Sequence, residues 1–346
     1  MKLSRIVVSL LLSCTVSAGA LSLMSWNVEN FFDDVHNGTE YREFDPARGH
    51  WNTELFLQRV RTLSEVVRMA VPGGADILVL QEVENENALA TLLDRGLRGM
   101  GYSWHVLVPK RGLSATVAVV SRLPIARVST HAVQPWNGRV PMRDILEVQL
   151  QIGGHTLYLF DNHWKSKTEG VKATEASRVQ SAGVLAARIR EIQASDAAAD
   201  IVAAGDFNEN MDEFQRDGRR AATALMPAGD PAGTARADSS IYLSQSAPSP
   251  DPAARRCVLF DPWYELAAAR RGSESWHGDW LTPDHILLSA GLFDRRGLHY
   301  RLGSFAPVRL PSLIDARGIP RRLVMRAGKE EGVSDHLPLI LFLDPD

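Results

Sequence analysis

Carboxylates, amides and imidazoles gather at the edges of apolar runs in six short stretches of this chain. They are Asn27 in "SWNVEN", Glu82 in "LQEVEN", Asn162 and His163 in "FDNHWKSK", Asp206 and Asn208 in "GDFNEN", Asp284 in "TPDHILLS", and Asp335 with His336 in "SDHLP". Oxygen donors of this kind hold hard cations, and an imidazole beside a carboxylate moves protons near neutral pH. A zinc centre is not indicated, because His and Cys do not recur at zinc-ligand spacing. Each residue alone has a plainer explanation. Asn27 and the "GDFN" pair could finish turns, Glu82 could be a solvated strand end, Asp284 a cap, and His163 a satisfied polar group under a loop. Six together point instead to convergence on one rim of a sheet structure, where a rigid scaffold presents a site.

The elements that must position these groups are visible in the periodicity. "ALSLMSWNVENFF" reads as a strand. "NTELFLQRVRTLSEVVRMA" reads as a helix, with Phe56, Val60, Leu63, Val67 and Ala70 on one face and Asn52 or Thr53 as its cap. "DILVLQEVEN" is a nearly continuous apolar run, as a strand covered on both faces requires. Residues 85–98 look helical; strands follow at 103–109, 116–121, 126–133, 145–152 and 156–164, with a Gly-Gly hairpin signal at 153–154. A long helix spans about 173–193, with Arg178 read as an exposed member, and "DIVAAGDFNEN" is a strand running into a loop. Residues 211–256, rich in Ala, Pro, Asp and Ser, read as a surface excursion, and "TPDHILLS" and "HLPLILFL" supply late strands. "SDH" is expected in the bend just before the last strand, since adjacent strand residues point oppositely, with Pro338 near its start. Helices between groups of strands favour two packed sheets over one parallel sheet, and no linker divides the chain.

Composition is that of a globular protein, with 45% hydrophobic and 23% charged residues among 346. The first 20 residues carry Lys2 and Arg5, an apolar stretch too short to span a membrane, and small residues ending at Ala20. This is the layout of a secretory signal peptide, so export and a single domain over 21–346 are expected. Cys14 in "LLSC" fits a lipoprotein site only weakly, because of Leu12. Without the leader one cysteine remains, Cys257, which cannot form an internal disulfide and reads as a packed thiol. The net charge of −3 disfavours a polyanion, but residues 295–329 hold eight arginines and Lys329 against Asp315 alone. That excess is either a solvated face or a footprint for phosphates.

In order along the chain, "WNVENF", "QEVEN", "NHWKSK", "GDFNEN", "DHILLS" and "SDHLP" resemble the endonuclease/exonuclease/phosphatase superfamily over about residues 21–344. The resemblance implies an α+β, four-layer α/β/β/α sandwich of two mixed β-sheets with flanking helices. It also implies a divalent-metal site at one edge and hydrolysis of a phosphate ester by water. Attack on a phosphodiester adds charge to the phosphoryl oxygens and leaving group, which a hard cation relieves. Glu82 is then the leading metal ligand, with Asn27 as a neutral oxygen donor and Asp335 as a further carboxylate. Mg²⁺ or Mn²⁺ suits such a set, with Ca²⁺ as an assisting ion. Asp206 would orient or deprotonate the water, or share a metal, and Asn208, two residues on, would donate to a phosphoryl oxygen. His336, partnered by Asp284, would act as base or as phosphate clamp. His163 would assist the leaving oxygen, and Asn162 would hold phosphate. Arg143, Lys165 and Lys167 are candidates for substrate phosphates, with solvated surface charge as their plainer reading, and Trp26 and Trp164 read as core.

The expected activity is that of an exported endonuclease on DNA, with RNA as a second substrate. Its partner is nucleic acid, with no stable protein partner, no transmembrane segment, and a monomeric chain. The alternative is a phospholipid or small-molecule phosphoesterase. The nearest approach to the apolar hairpin that a lipid enzyme would need is "SWHGDW", with Trp276 and Trp280. A binding protein that kept the fold without activity is disfavoured by the intact set of acidic and imidazole groups.

Overall fold

Period-two alternation decides which way each strand faces. Along the first strand Leu21 and Leu23 enter one apolar cluster, while Met24, Trp26 and Val28 enter another. The same division separates Ile77 and Val79 from Leu78 and Leu80. It also separates Val117 and Val119 from Ala118 and Val120. The first set meets the facing sheet; the second lies under a helix. The computed structural model describes residues 19–135, 141–229, 239–250, 256–294, 296–326 and 329–346. The amino-terminal leader with Cys14, and Arg295, lie outside the described residues.

In chain order the elements are β1 (Leu21–Phe31), α1 (Thr53–Ala70), β2 (Ile77–Val83), α2 (Glu86–Thr91), β3 (Trp104–Leu107), β4 (Thr116–Ser121), β5 (Ile125–His131), β6 (Ile145–Ile152) and β7 (His155–His163). Then come α3 (Val171–Ser195), β8 (Asp200–Asp206), α4 (Glu213–Arg216), β9 (Leu225–Pro227), β10 (Ile241–Ser244), β11 (Cys257–Phe260), β12 (Glu274–Trp276) and β13 (Asp279–Leu281). The chain ends with β14 (Asp284–Leu288), β15 (Leu298–Tyr300), β16 (Ala306–Pro307), β17 (Val324–Arg326), β18 (Lys329–Glu331) and β19 (Leu339–Pro345).

The first sheet has the order β15-β19-β1-β2-β4-β3, with β16 beside β19; the second runs β5-β6-β7-β8-β14-β11-β10-β9. Both are mixed: β1 and β2 are parallel, as are β7 and β8, while β19 and β14 join antiparallel. Helix α1 covers the outer face of the first sheet through Phe56, Val60, Leu63 and Val67, and α3 packs on the second sheet at β10 and β11. The four-layer α/β/β/α sandwich is therefore the observed architecture. Its mixed topology brings six chain segments to one rim. β1, β2, β7 and β8 arrive there by their carboxyl ends, and β14 and β19 by their amino ends.

Two expectations change. Residues 211–256 do not form only a surface excursion: β10 pairs in parallel with β11 and β9 with β10, extending the second sheet. Strands of three or four residues are too short to show a period. The basic segment is also not one face. Arg301 pairs with Asp344 at the end of β19 remote from the rim (3.0 Å), Arg317 pairs with Asp315 (2.9 Å), and Arg322 stands at the rim beside Glu29 (2.9 Å). Cys257 is buried as expected, and burial pushes its thiol up to about 12.

Candidate metal-dependent hydrolytic site

In the second sheet three site residues stand abreast. His163 on β7 is in register with Asp206 on β8, and Asp206 with Asp284 on β14. Adjacent strands are about 4.8 Å apart, so this register alone clusters the imidazole and both carboxylates. Asp206 Oδ1 accepts the Asn208 backbone N–H (2.8 Å), and its Oδ2 accepts from the side chains of Asn208 (3.0 Å) and Asn27 (3.1 Å). His163 Nε2 lies 3.6 Å from Asp206 Oδ2 and 3.8 Å from Glu82 Oε1. Asp284 Oδ2 accepts from His336 Nδ1 at 2.8 Å and from Ser273 Oγ at 2.5 Å.

The first sheet delivers its residues through distortion rather than register. Pairing of β1 with β2 slips between Asn27 and Phe31, and pairing of β2 with β4 slips between Gln81 and Val83. Glu29, Asn30 and Glu82 take left-handed backbone angles there, with φ of 49°, 57° and 65°. Such bulges re-aim side chains at a cost in local strain. Glu82 thereby places Oε1 against Asn27 Nδ2 (3.2 Å) and Oε2 against the Asn30 N–H (2.8 Å). Asp335 lies in the bend before β19, as expected; it sits 3.7 Å from Arg322 Nε and 3.8 Å from His336 Nε2. Trp26 is core, but its Nε1 also bonds the His336 carbonyl (3.1 Å), tying "SWN" to "SDH".

The electrostatics sort the imidazoles. Burial opposes charge on His336, yet Asp284, Asp206 and Asp335 outweigh it and hold the ring protonated well above its ordinary range. Burial, with Arg143 and His336 nearby, pushes His163 well below that range, so it is neutral. Its Nε2 faces the carboxylates of Asp206 and Glu82, which favour the proton on that nitrogen, and its buried Nδ1 has no hydrogen-bond partner among the described residues. Burial and the neighbouring Asp284 raise Asp206 to about 7, against the pull of His336.

Several expected substrate contacts are not free. Asn162 is fully buried and points away from the rim: Nδ2 donates to the Ala204 carbonyl (3.2 Å) and Oδ1 accepts from Trp164 Nε1 (3.1 Å). Side chains alternate along β7, so Asn162 and His163 cannot both face the cleft. Lys165 is paired with Glu169 at 2.6 Å, and Lys167 with Glu213. Asn208 spends its side chain on Asp206 and the Trp164 carbonyl (3.2 Å). Arg143 is half-buried near His163 and bonds the Ala115 carbonyl (3.2 Å). Arg178 is not exposed but fully buried, with Nε on Glu209 (2.7 Å) and NH2 on Glu175 (2.6 Å).

Sequence reading also missed supporting groups. Glu29, raised to about 7 by burial and Asp335, accepts the N–H groups of Leu323 (2.7 Å) and Asp335 (2.9 Å). Gln81 reaches across the sandwich to Asp161 (2.8 Å), directly beneath the rim. Ser273 and Arg59 complete the shell. Asp161 stands two residues before His163 and so shares its face, a signal the strand period carries; the others depend on distant chain.

The donor set fits a hard divalent cation. Glu82 Oε1 and Asp206 Oδ2 approach one another with only the Asn27 amide nitrogen between them, so two carboxylates share one neutral donor. Asp206, Asp284 and His336 bring polar atoms within 4.8 Å of one another; with the ring protonated, the two carboxylates are the members of that group able to ligate. Asn27 Oδ1 accepts the Glu29 N–H (3.0 Å); in this arrangement Asn27 holds the carboxylates through its nitrogen.

A sequence model described as the endonuclease/exonuclease/phosphatase family matches residues 22–225. No curated protein matches. Among solved structures, truncated TDP2 of Caenorhabditis elegans is similar with a TM-score of 0.53 and 17% identity, covering 94% of this chain and 97% of that one. TDP2 of D. rerio, solved with a single-strand DNA product, gives 0.55 and 16%, covering 94% and 99%. A mannosyl-6-phosphatase of Bacteroides thetaiotaomicron gives 0.56 and 17%, covering 93% and 99%. At these identities the likeness is one of fold.

Proposed function

The chain belongs to the endonuclease/exonuclease/phosphatase family, and from that membership we propose that it is an exported, divalent-metal-dependent phosphodiesterase that cuts DNA internally. Members of the family are phosphoesterases, so the open questions are substrate and place. The observation that carries the reading is the His336–Asp284 pair at 2.8 Å, set in the same row as Asp206 and facing the Asn27–Glu82 bond. Glu82 and Asp206 would hold the ion, with Asp335 as a further carboxylate. When bound it supplies Lewis acidity toward a non-bridging phosphoryl oxygen and neutralises the paired carboxylates.

The chain's own residues do the rest. Asp206, held at three oxygen contacts, orients the attacking water and takes its proton. His336, charged and fixed by Asp284, donates Nε2–H to a phosphoryl oxygen, a clamp rather than a base. His163, neutral with its N–H on Nε2, donates a hydrogen bond that stabilises the leaving oxygen, which takes its proton from water. Arg322, whose side chain is 62% exposed beside Asp335, is the cation best placed to meet a neighbouring phosphate. Export is supported by Lys2, Arg5, the following apolar stretch and the small residues that close it. Among the described residues no helix is long and apolar enough to cross a membrane.

One observation favours a second reading, a small phosphate ester. A cavity of about 430 Å³ opens two residues beyond Glu82, lined by Asp33, Asn37, Glu84, Asn87, Lys110 and Thr116 among others. Acids and amides suit a neutral polyol better than a polyanion, and a sugar phosphatase is among the similar folds. The deciding experiment incubates the protein with supercoiled plasmid, RNA, sphingomyelin and mannose 6-phosphate under Mg²⁺, Mn²⁺ or Ca²⁺, with EDTA as control. Metal-dependent nicking of plasmid is expected. Turnover of the lipid or the sugar phosphate alone would sink the nuclease reading.

A further inference from the structure

The β12–β13 hairpin is a rigid two-stranded ribbon that grows directly out of the catalytic rim. Glu274 forms a bridge with His336, the Leu337 N–H bonds the Ser273 carbonyl (2.7 Å), and Ser273 Oγ bonds Asp284 (2.5 Å). The root of the hairpin is thus fastened to both members of the His–Asp pair. Its turn is two residues, His277 and Gly278, both with positive φ (52° and 92°), the geometry that matches strand twist and stiffens a hairpin.

The ribbon has two unlike faces. Ser275 pairs across it with Trp280, whose ring lies under Arg309 at 4.1 Å and packs on the core. Glu274 and Trp276 occupy the other face. The bridge sets Glu274 directly opposite His336, and bridged partners share a face, so this face looks into the site. Trp276, two residues farther along the same face, stands about 7 Å outward. It is 57% exposed, with the His277 ring against it at 4.7 Å. An indole costs free energy in water, and among the described residues the His277 ring is its one aromatic partner.

We propose that Trp276 is a specificity residue that stacks on a nucleobase attached next to the scissile phosphate. The distance suits a ring carried on the sugar beside a phosphate held by His336. A bilayer is a poorer occupant: Trp276 is flanked by His277 and paired with Asp279, so the tip has one apolar group among polar ones. Stacking on an aromatic needs no particular base, in keeping with a sequence-tolerant nuclease.

The inference rests on the nuclease reading, and one pair of substrates separates the two. Thymidine 5′-(4-nitrophenyl phosphate) and methyl 4-nitrophenyl phosphate share a leaving group and differ in the nucleoside. Trp276→Ala is expected to lower the ratio of their kcat/KM values, nucleoside over methyl, by about tenfold, within the range for loss of one stacked base. Trp276→Phe should restore most of that ratio. Tryptophan emission titrated with thymidine 3′,5′-bisphosphate should be quenched in the native protein and largely unquenched in Trp276→Phe. An unchanged ratio, an equal loss on both esters, or a quench that survives Trp276→Phe would overturn the stacking role while leaving the nuclease in place. A native enzyme that turns over the methyl ester but not the nucleoside ester would overturn both.

Discussion

Two fully buried arginines hold the two halves of the site, and they do it differently. Arg59, on α1, serves the first-sheet half. It donates to the carbonyls of Val28, Glu29 (2.8 Å) and Val333 (2.6 Å) and reaches one carboxylate, Glu330 (3.2 Å). Arg178, on α3, serves the second-sheet half. It bonds two carboxylates, Glu209 and Glu175, and the carbonyls of Val171 (2.9 Å) and Lys165 (3.3 Å). Burial dominates Arg59 and pulls its pKa below the ordinary value, whereas burial is outweighed for Arg178 by Glu209 and Glu175, which raise it. The contrast follows the strands. The second half gets its geometry from register, so chiefly the loop after β8 needs pinning, and Glu209 of that loop with Glu175 of α3 suffices. The first half is built from bulges with left-handed residues, and a guanidinium fork spanning several carbonyls fixes backbone directly.

If both halves serve one reaction, a lesion in either is equally fatal. Asp206→Ala in the second half and His336→Ala at the seam are each expected to lower kcat by at least ~10²-fold, the low end for a positioned acid–base group. Circular dichroism of the purified variants confirms folding. Near-normal turnover in a folded variant of either would separate the halves and break the comparison.

Stability should distinguish the arginines. Arg178→Met leaves Glu209 buried without its cation and is expected to cost about 3–5 kcal/mol at pH 8 by urea unfolding. Arg59→Met leaves three buried carbonyls and one carboxylate, Glu330, without their donor, against two carboxylates for Arg178, and about 3 kcal/mol is expected. Their pH dependence should differ in size. Glu209 already titrates well above its ordinary range, chiefly through burial and Glu175, and losing Arg178 raises it further. A carboxyl raised in the folded state stabilises while protonated, fully so below its unfolded value, and that stability is lost as pH rises through the folded value. The Arg178→Met deficit should therefore shrink toward pH 5, while that of Arg59→Met changes less. The opposite ranking at pH 8 would show that carbonyl caging, not charge pairing, is the costlier to lose.

The same contrast explains what the sequence made legible. Asp206, Asp284 and His163 could be found because a strand end is a fixed place in a periodic pattern, and register then aligns them. "SDH" was legible for a related reason: the apolar run behind it fixes where the bend must fall. Arg59 was not, because it meets Glu330, which lies 271 residues away, and an apolar helix face gives no hint that a cation is folded into it. Arg178 looked like a solvated helix position for the same reason. Asn162 was misplaced because motif proximity outweighed strand alternation. Bulges at Asn27–Phe31 and Gln81–Val83 also break the period, so the orientation of Glu82 follows from three-dimensional pairing rather than spacing.

Substrate charge offers the mildest test of the two halves. Every described lysine of "NHWKSK" is already paired within the second half, Lys165 to Glu169 and Lys167 to Glu213. Arg322 of the first half touches Glu29 but leaves most of its side chain in solvent beside Asp335. A paired surface lysine has little field left for a ligand, and such pairs contribute little in themselves. Lys165→Ala and Lys167→Ala should therefore change kcat/KM on plasmid by less than about twofold, while Arg322→Ala raises KM and lowers the magnitude of the salt slope by about one phosphate contact. The comparison between variants matters more than either value. Equal salt slopes for Arg322→Ala and Lys167→Ala would mean that the glutamates release their lysines to substrate, and the second half would then share in binding the backbone.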